Sequence, residues 1–264
     1  KLVVAYFYGS ASVAVFAVGA QVYSAYMQAG VSIAGVFFQR VSELYHRDRD
    51  NVAISVLFAK VGRITFLACS IILGGFIVLG PDFIVLWAGD AYGEAFWIAL
   101  AVMLPLTIDL IQNLGLTILQ VENKYYFRGV VYLALSVVNI AGSILLAPRF
   151  GIVAVAVCSG VCMFVGNGLV MNWYYAKRAG LDIAMFWREI AALAVPWAAG
   201  TVASGAAYWL FPMGHGTFWL FLLGGVVYLV LLAFFVGKWG LNGYERGIVR
   251  GFAAKVPGLR GFAK

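Results

Sequence analysis

Thr217-Phe218-Trp219-Leu220-Phe221-Leu222-Leu223-Gly224-Gly225-Val226-Val227-Tyr228-Leu229-Val230-Leu231-Leu232-Ala233-Phe234-Phe235-Val236 carries no charge, and past Thr217 its only hydroxyl is that of Tyr228. A helix of roughly 20 residues, rising 1.5 Å per residue, covers the ~30 Å of hydrocarbon in a bilayer. Stretches of the same kind recur at 11–38, 64–80, 95–119, 129–147, 151–175 and 190–211. The chain therefore reads as all-α, a polytopic integral membrane helix bundle with seven full transmembrane helices. With 64% hydrophobic and 11% charged residues, it leaves no material for a separate soluble domain.

The cations between these stretches alternate. Arg40, Arg47, Arg49, Lys60 and Arg63 fill the first gap, Lys124 and Arg128 the third, and Lys177, Arg178 and Arg188 the fifth. Lys238, Arg246, Arg250, Lys255, Arg260 and Lys264 fill the tail, whereas the even-numbered gaps hold only Arg149. Positive residues stay cytoplasmic, so the odd gaps and the C-terminus are expected inside. The net charge of +7 is accounted for by this basic face meeting anionic headgroups, and no nucleic-acid partner is expected.

The opening Lys1-Leu2-Val3-Val4-Ala5-Tyr6-Phe7-Tyr8 is too short to cross a bilayer before Gly9-Ser10 breaks it, and reads as the end of a preceding helix whose beginning is missing. The expected organisation is a transport bundle over 1–190, two accessory transmembrane helices over 191–236, the first starting near 187–190, and a basic cytoplasmic tail over 237–264. In the tail Leu241, Tyr244, Ile248 and Phe252 fall on one helical face, as in an amphipathic helix lying on the inner leaflet.

Enzyme chemistry finds little support. His46 and His215 fall on opposite sides of the expected membrane, and no phosphate-cradling glycine loop occurs. Asp48-Arg49-Asp50 has the Asp-x-Asp form that can hold a nucleotide-sugar metal ion, but its neighbouring arginines compete for the carboxylates and it reads as a solvated loop. Ala154, Cys158, Cys162 and Gly166 form a stripe of small residues at i, i+4 spacing, suited to close helix packing. No metal site, cofactor or catalytic group is expected.

Polar residues inside the spans share faces. Ser10, Gln21, Ser24, Gln28, Ser32, Gln39 and Ser42 lie along one arc of the first span, Pro105, Asp109, Gln112, Asn113 and Gln120 along the third, and Tyr132, Ser136, Asn139 and Ser143 along the fourth. Amides facing lipid would leave donors and acceptors unpaired, so such faces must meet protein or water. They read as walls of a substrate cavity, against the alternative that each simply bonds a neighbouring helix. Asp109 is the acidic residue deepest within a span, and an intramembrane carboxylate marks an ion site or a pathway. Pro105, four residues earlier, is expected to free the Ala101 carbonyl toward the same cavity.

The run from Leu104 through Gln120, with Asn123-Lys124, resembles the Wzx-like polysaccharide flippases of the multidrug/oligosaccharidyl-lipid/polysaccharide exporter superfamily. Gln39-Arg40-Val41-Ser42, Ile84-Val85-Leu86-Trp87-Ala88-Gly89-Asp90-Ala91-Tyr92, Asn139, Pro148 through Ala156 and Gly166-Asn167 through Tyr175 agree in order and spacing. The similarity covers roughly residues 1–190 and corresponds to the C-terminal lobe of a two-lobed transporter. It implies a transporter in the bacterial cytoplasmic (inner) membrane that moves a polyprenyl-diphosphate-linked oligosaccharide to the outer leaflet by alternating access, for surface polysaccharides such as O-antigen or exopolysaccharide. The implied partners are the lipid-linked glycan, membrane lipids, an N-terminal lobe of the same chain and glycan-assembly proteins, with a proton or sodium ion as coupling ion. On this reading Gln21, Ser24, Gln28, Ser32, Asp109, Gln112, Asn113, Ser136 and Asn139 line the cavity, while Arg40, Lys60, Arg63 and Arg128 capture the diphosphate. The alternatives are a drug or small-molecule exporter of the same superfamily, and a multispan polymerase or glycosyltransferase dependent on Asp48 and Asp50.

Overall fold

The structure is a computed structural model describing residues 2–35, 51–121, 124–211, 218–243 and 245–247. Among these residues it is almost wholly helical and contains no strand. The helices are α1 (Leu2–Gly35), α2 (Asn51–Ala88), α3 (Ala95–Ile111), α4 (Asn113–Val121), α5 (Tyr126–Phe150), α6 (Ile152–Met163), α7 (Asn172–Arg178), α8 (Ile183–Leu210) and α9 (Phe218–Phe235). A π-helical segment, Phe164–Met171, joins α6 to α7, and a second, Val236–Gly240, prolongs α9.

Six helical spans are long and apolar enough to cross a membrane, and α3 and α4, bent at the break between them, number a seventh when taken together as one span. The expected all-helical membrane bundle is therefore what forms. Its boundaries differ from the hydropathy reading in one instructive place: α2 begins at Asn51, so Lys60 and Arg63 belong to the helix and not to a loop before it. Hydropathy ends a span where charge appears, but a helix continues wherever its backbone bonds can form and its charges find partners.

Gly9 breaks α1 with φ 75° and ψ −173°, a left-handed conformation that costs glycine little because it has no Cβ. The short segment before it packs inward: Val4 is fully buried in a cluster with Phe16, Ile98, Val102, Ala147 and Ile152, and the Tyr8 hydroxyl donates to the Ala147 carbonyl.

At the centre, α3 touches α1, α2 and α6, while α5 packs on the outer side of α6. The most extensive pairing is between α2 and α8, and α9 lies against both. The two helices expected as accessories are thus built into the same body. Trp197 Nε1 donates to Ser70 O (2.8 Å) and the Tyr228 hydroxyl to Ile71 O (2.8 Å), so α8 and α9 are both stitched to the backbone of α2. Gly74 makes this possible, since a Cβ there would lie 2.6 Å from the Tyr228 hydroxyl oxygen.

The two ends of the bundle differ in charge. Ser55 Oγ accepts from the Asp182 N–H (3.1 Å) and Lys124 Nζ donates to Arg178 O (3.2 Å), which places the start of α2 and the connections after α4 and α7 together at one end. Among the described residues that end holds nearly all the cations; the opposite end, where Tyr208 donates to Asp82, carries Arg149.

Candidate functional site

The bend between α3 and α4 organises the polar groups. The helices diverge by 46°, and Gln112 between them leaves helical geometry at φ −98°, ψ 6°. Three residues before it on the same face stands Asp109, half-buried. Its Oδ1 accepts from Arg128 Nη2 at 2.8 Å, in the opening turns of α5. The same nitrogen donates to the Tyr132 hydroxyl (3.0 Å), and the guanidinium carbon lies 4.8 Å from the Tyr132 ring centre, within cation–π range.

From Tyr132 the network crosses to the π-helical segment. The Tyr132 hydroxyl donates to Asn167 Oδ1 (2.5 Å), and Asn172 Nδ2 donates to Asn167 O (3.2 Å) and Gly168 O (2.7 Å). Asn172 Oδ1 then accepts from Gln112 Nε2 (2.9 Å) and Trp187 Nε1 (3.1 Å). The bonded series Asp109, Arg128, Tyr132, Asn167, Asn172 and Gln112 runs through three spans and starts and ends three residues apart beside the same bend, tying that bend to the π-helical irregularity of another span. Such irregularities concentrate at functional positions. One buried donor in the network, Asn167 Nδ2, has no partner. Tyr175, fully buried over Gly115, brings a further phenol beside Arg128.

The expected site residues do not all converge here. Asp109, Gln112 and Arg128 meet, and Asn113 is half-buried at the start of α4. Asn139 instead exchanges hydrogen bonds with Ser159 Oγ (3.1 and 3.2 Å) and accepts from Ser143 Oγ (3.3 Å), so it bonds α5 to α6. Ser136 is exposed and donates to Tyr132 O (2.7 Å); the space beside it is a pocket of about 160 Å³. Gln21 is exposed and borders a separate apolar groove of about 560 Å³ between α1, α2 and α9, lined also by Phe76, Trp87, Met103 and Phe221. Ser24 is half-buried, and Gln28 and Ser32 are exposed, with Ser32 Oγ donating to Gln28 O (2.8 Å). Among the described residues the faces of α3 and α5 meet at Asp109, Arg128 and Tyr132, whereas α1 leaves Gln21, Gln28 and Ser32 exposed elsewhere.

The Ala101 carbonyl does not share the space around Asp109: Ala101 borders a separate hollow of about 420 Å³, lined also by Leu104, Pro105, Ile108, Val157 and Gly160. A Cβ on Gly160 would lie 2.3 Å from the Ala101 carbonyl, so the backbone of α6 rests against the carbonyl that Pro105 releases. The small-residue stripe does pack as expected: Cys158 Sγ stands where a Cβ on Gly142 would go, and Leu135 fills the space above Gly166.

The four expected capture cations also separate. Arg40 lies outside the described residues, as do Gln39, Ser42, the Asp48–Asp50 run and both histidines. Lys60 is exposed on α2. Arg63 is a correction: it is 3% exposed and all five of its N–H groups are engaged. Nε and Nη2 hold the two carboxylate oxygens of Glu245 at 2.7 and 2.8 Å, Nη1 reaches Glu189 O (2.7 Å) and Oε2 (3.1 Å), and Nη2 also reaches Gly240 O (2.9 Å). Nothing on this arginine is left for a diphosphate.

Glu245 belongs to a turn that the tail sequence spells out. Asn242 Oδ1 accepts from the Glu245 N–H (3.0 Å) and Glu245 Oε2 from the Asn242 N–H (3.0 Å), a capping box that opens a helix after the last span. Burial works to raise the Glu245 carboxyl, but the hydrogen bonds from Arg63 and Asn242 and the guanidinium charge outweigh it and hold the group below the usual carboxylate range. The tail helix thus starts at Asn242, while Lys238 closes the last span, its ammonium 4.8 Å from the Trp239 ring centre. Tyr244, Ile248 and Phe252 lie outside the described residues.

Sequence reasoning missed Asn167, Asn172 and the Arg63 clasp. Asn167 and Asn172 carried a signal in their five-residue spacing, which suits a π-helix and not an α-helical stripe; the clasp carried one in the Asn-x-x-Glu pattern at 242–245. No family model, curated protein or solved structure matches the chain.

Proposed function

We propose that this chain is a lobe of a membrane transporter that flips a polyprenyl-diphosphate-linked oligosaccharide from the cytoplasmic to the outer leaflet by alternating access. Its seat is the bacterial cytoplasmic membrane, with the basic end and the C-terminus inside. The observation that carries the reading is the Asp109–Arg128 pair, held within the apolar spans where one helix bends and another becomes π-helical. Charges in hydrocarbon are costly and persist where they serve a pathway, and irregular spans are the parts of a bundle able to adopt two arrangements. The resemblance of residues 104–124 and 166–175 to polysaccharide flippases supplies the substrate class.

The electrostatics suit an anionic cargo. A diphosphate meets the cations of the basic end first, and the acidic Asp82, Asp90 and Glu94 stand where it leaves. Moving each negative charge outward across an inside-negative membrane releases about 2.3 kcal/mol per 100 mV, so the potential alone can drive the lipid.

Deletion of the gene in its native host, followed by complementation, tests the proposal. Loss of surface polysaccharide with lipid-linked glycan accumulating on the cytoplasmic leaflet is expected. Unchanged surface glycan with altered resistance to small cationic compounds would favour a drug exporter. Loss of glycan on changing both Asp48 and Asp50 to Asn, with no build-up of the finished lipid-linked unit, would favour an enzyme.

A further inference from the structure

The two buried arginines are bound in opposite ways. Arg63 spends all five N–H groups and is held bidentately by Glu245, whose side chain is 4% exposed. Arg128 is held to Asp109 by a single N–H, from the nitrogen that also serves Tyr132, and the Asp109 side chain is 24% exposed against 10% for its arginine. The first arrangement is a clasp. The second is a one-point contact whose acidic partner is the more exposed member.

The geometry points to Asp109 as an internal competitor for an anionic ligand at Arg128: the carboxylate holds the guanidinium when the site is empty, and a phosphate oxygen takes its place when substrate arrives. This rests on the transport reading above and names the chemistry that the same site recognises.

Three features support the exchange. Tyr132, anchored by Asn167, keeps hold of Arg128 through its hydroxyl and ring, so the guanidinium stays in position when the carboxylate departs. A buried guanidinium left alone carries an uncompensated charge, so release of Asp109 requires another anion, and the planar fork of arginine matches phosphate. Finally, Asp109 lies two residues before α3 ends at Ile111, beside the 46° bend, so a change of bend angle moves the carboxylate relative to α5. A sodium ion at Asp109 would have to displace a guanidinium already bonded at 2.8 Å; an anion at Arg128 needs only to replace one hydrogen bond.

The test measures binding of inorganic pyrophosphate and of a polyprenyl diphosphate to the protein at its full natural length, in uncharged detergent at fixed ionic strength. Asp109→Asn should bind about tenfold tighter than the native protein, and adding Arg128→Gln, which leaves no unpaired buried charge, should abolish the gain. Tightening toward both ligands means that the diphosphate itself is read, and tightening toward the polyprenyl form alone means that the lipid-borne group is read; either supports the exchange. Equal or weaker binding by Asp109→Asn, or a double variant that binds like Asp109→Asn, overturns it. If Asp109→Asn lowers the melting temperature, replacing chloride by phosphate should restore it, and failure to restore it counts against the proposal. Pyrophosphate binding needs no glycan, so a failure of glycan flipping with the predicted pyrophosphate shifts would remove the transport reading and leave the anion site standing.

Discussion

Arg63 and Glu245 sit 182 residues apart in sequence, yet they make the most completely satisfied ion pair among the described residues. Removing one partner of a buried pair strands the other charge, which typically costs about 3–5 kcal/mol. Glu245→Gln should therefore lower the thermal stability in detergent markedly, whereas Glu189→Gln, whose side chain is 38% exposed, should cost far less because its backbone carbonyl still accepts from Arg63. The pH dependence has a definite sign. The folded carboxyl of Glu245 lies below its unfolded value of ~4.3, so its contribution is complete above that pH and is lost as pH falls through the lower folded value. Melting temperatures measured from neutral pH downward should fall in the native protein, and Glu245→Gln should flatten part of that fall. The individual partners in such pairs were not legible in the sequence. Arg63 and Arg128 both read as basic-end cations, and only contacts between spans separate the clasped one from the one held to its carboxylate by a single hydrogen bond.

At the scale of the helix, the contact of α3 with α6 depends on Gly160. Gly160→Ala would drive a methyl into the Ala101 carbonyl, 2.3 Å away, and overpacking of this kind costs about 1–3 kcal/mol. Gly129→Ala is the control: it meets nothing within 4 Å in α5, so the better helix former should leave stability unchanged or raise it by ~0.5–1 kcal/mol. Asn172→Leu should be worse than Gln112→Leu, because it strands Gln112 and Trp187 together, while Trp187 still serves Asn172 once Gln112 is gone. Each stranded buried donor costs about 1–3 kcal/mol, and unfolding of the four variants side by side measures the differences. The polar faces of these helices were readable at 100° per residue, Asp109 among them. What each face meets was not readable, since periodicity gives a direction but not a neighbour: Asn139 turned out to bond α6, while Gln112 reached the π-helical irregularity, which departs from the 3.6-residue period.

The whole molecule was the most legible level. Hydropathy sums over some twenty residues, so single exceptions do not hide a span, and the alternation of cations between spans sorts into the two ends of the bundle. The edges were less legible: α2 runs past its charges, and the contacts of α8 and α9 with α2 at Ser70, Ile71 and Gly74 have no signature in hydropathy. The proposed orientation rests on the same charge map. Cysteines introduced at exposed Lys60 and Lys177 of the basic end should react with impermeant thiol reagents from the cytoplasmic side, and one at Glu94 from the outer side; the reverse pattern would invert the topology. The central claim is transport of an anionic lipid-linked glycan, and its most direct measurement is flipping by the full-length protein in sealed vesicles. Glycan on a polyprenyl diphosphate, supplied to the leaflet at the basic end, should become accessible on the opposite leaflet. The rate should rise when the basic-end compartment is made electrically negative, and should fall by about tenfold or more in Asp109→Asn/Arg128→Gln. Flipping no faster than in protein-free vesicles would contradict the account.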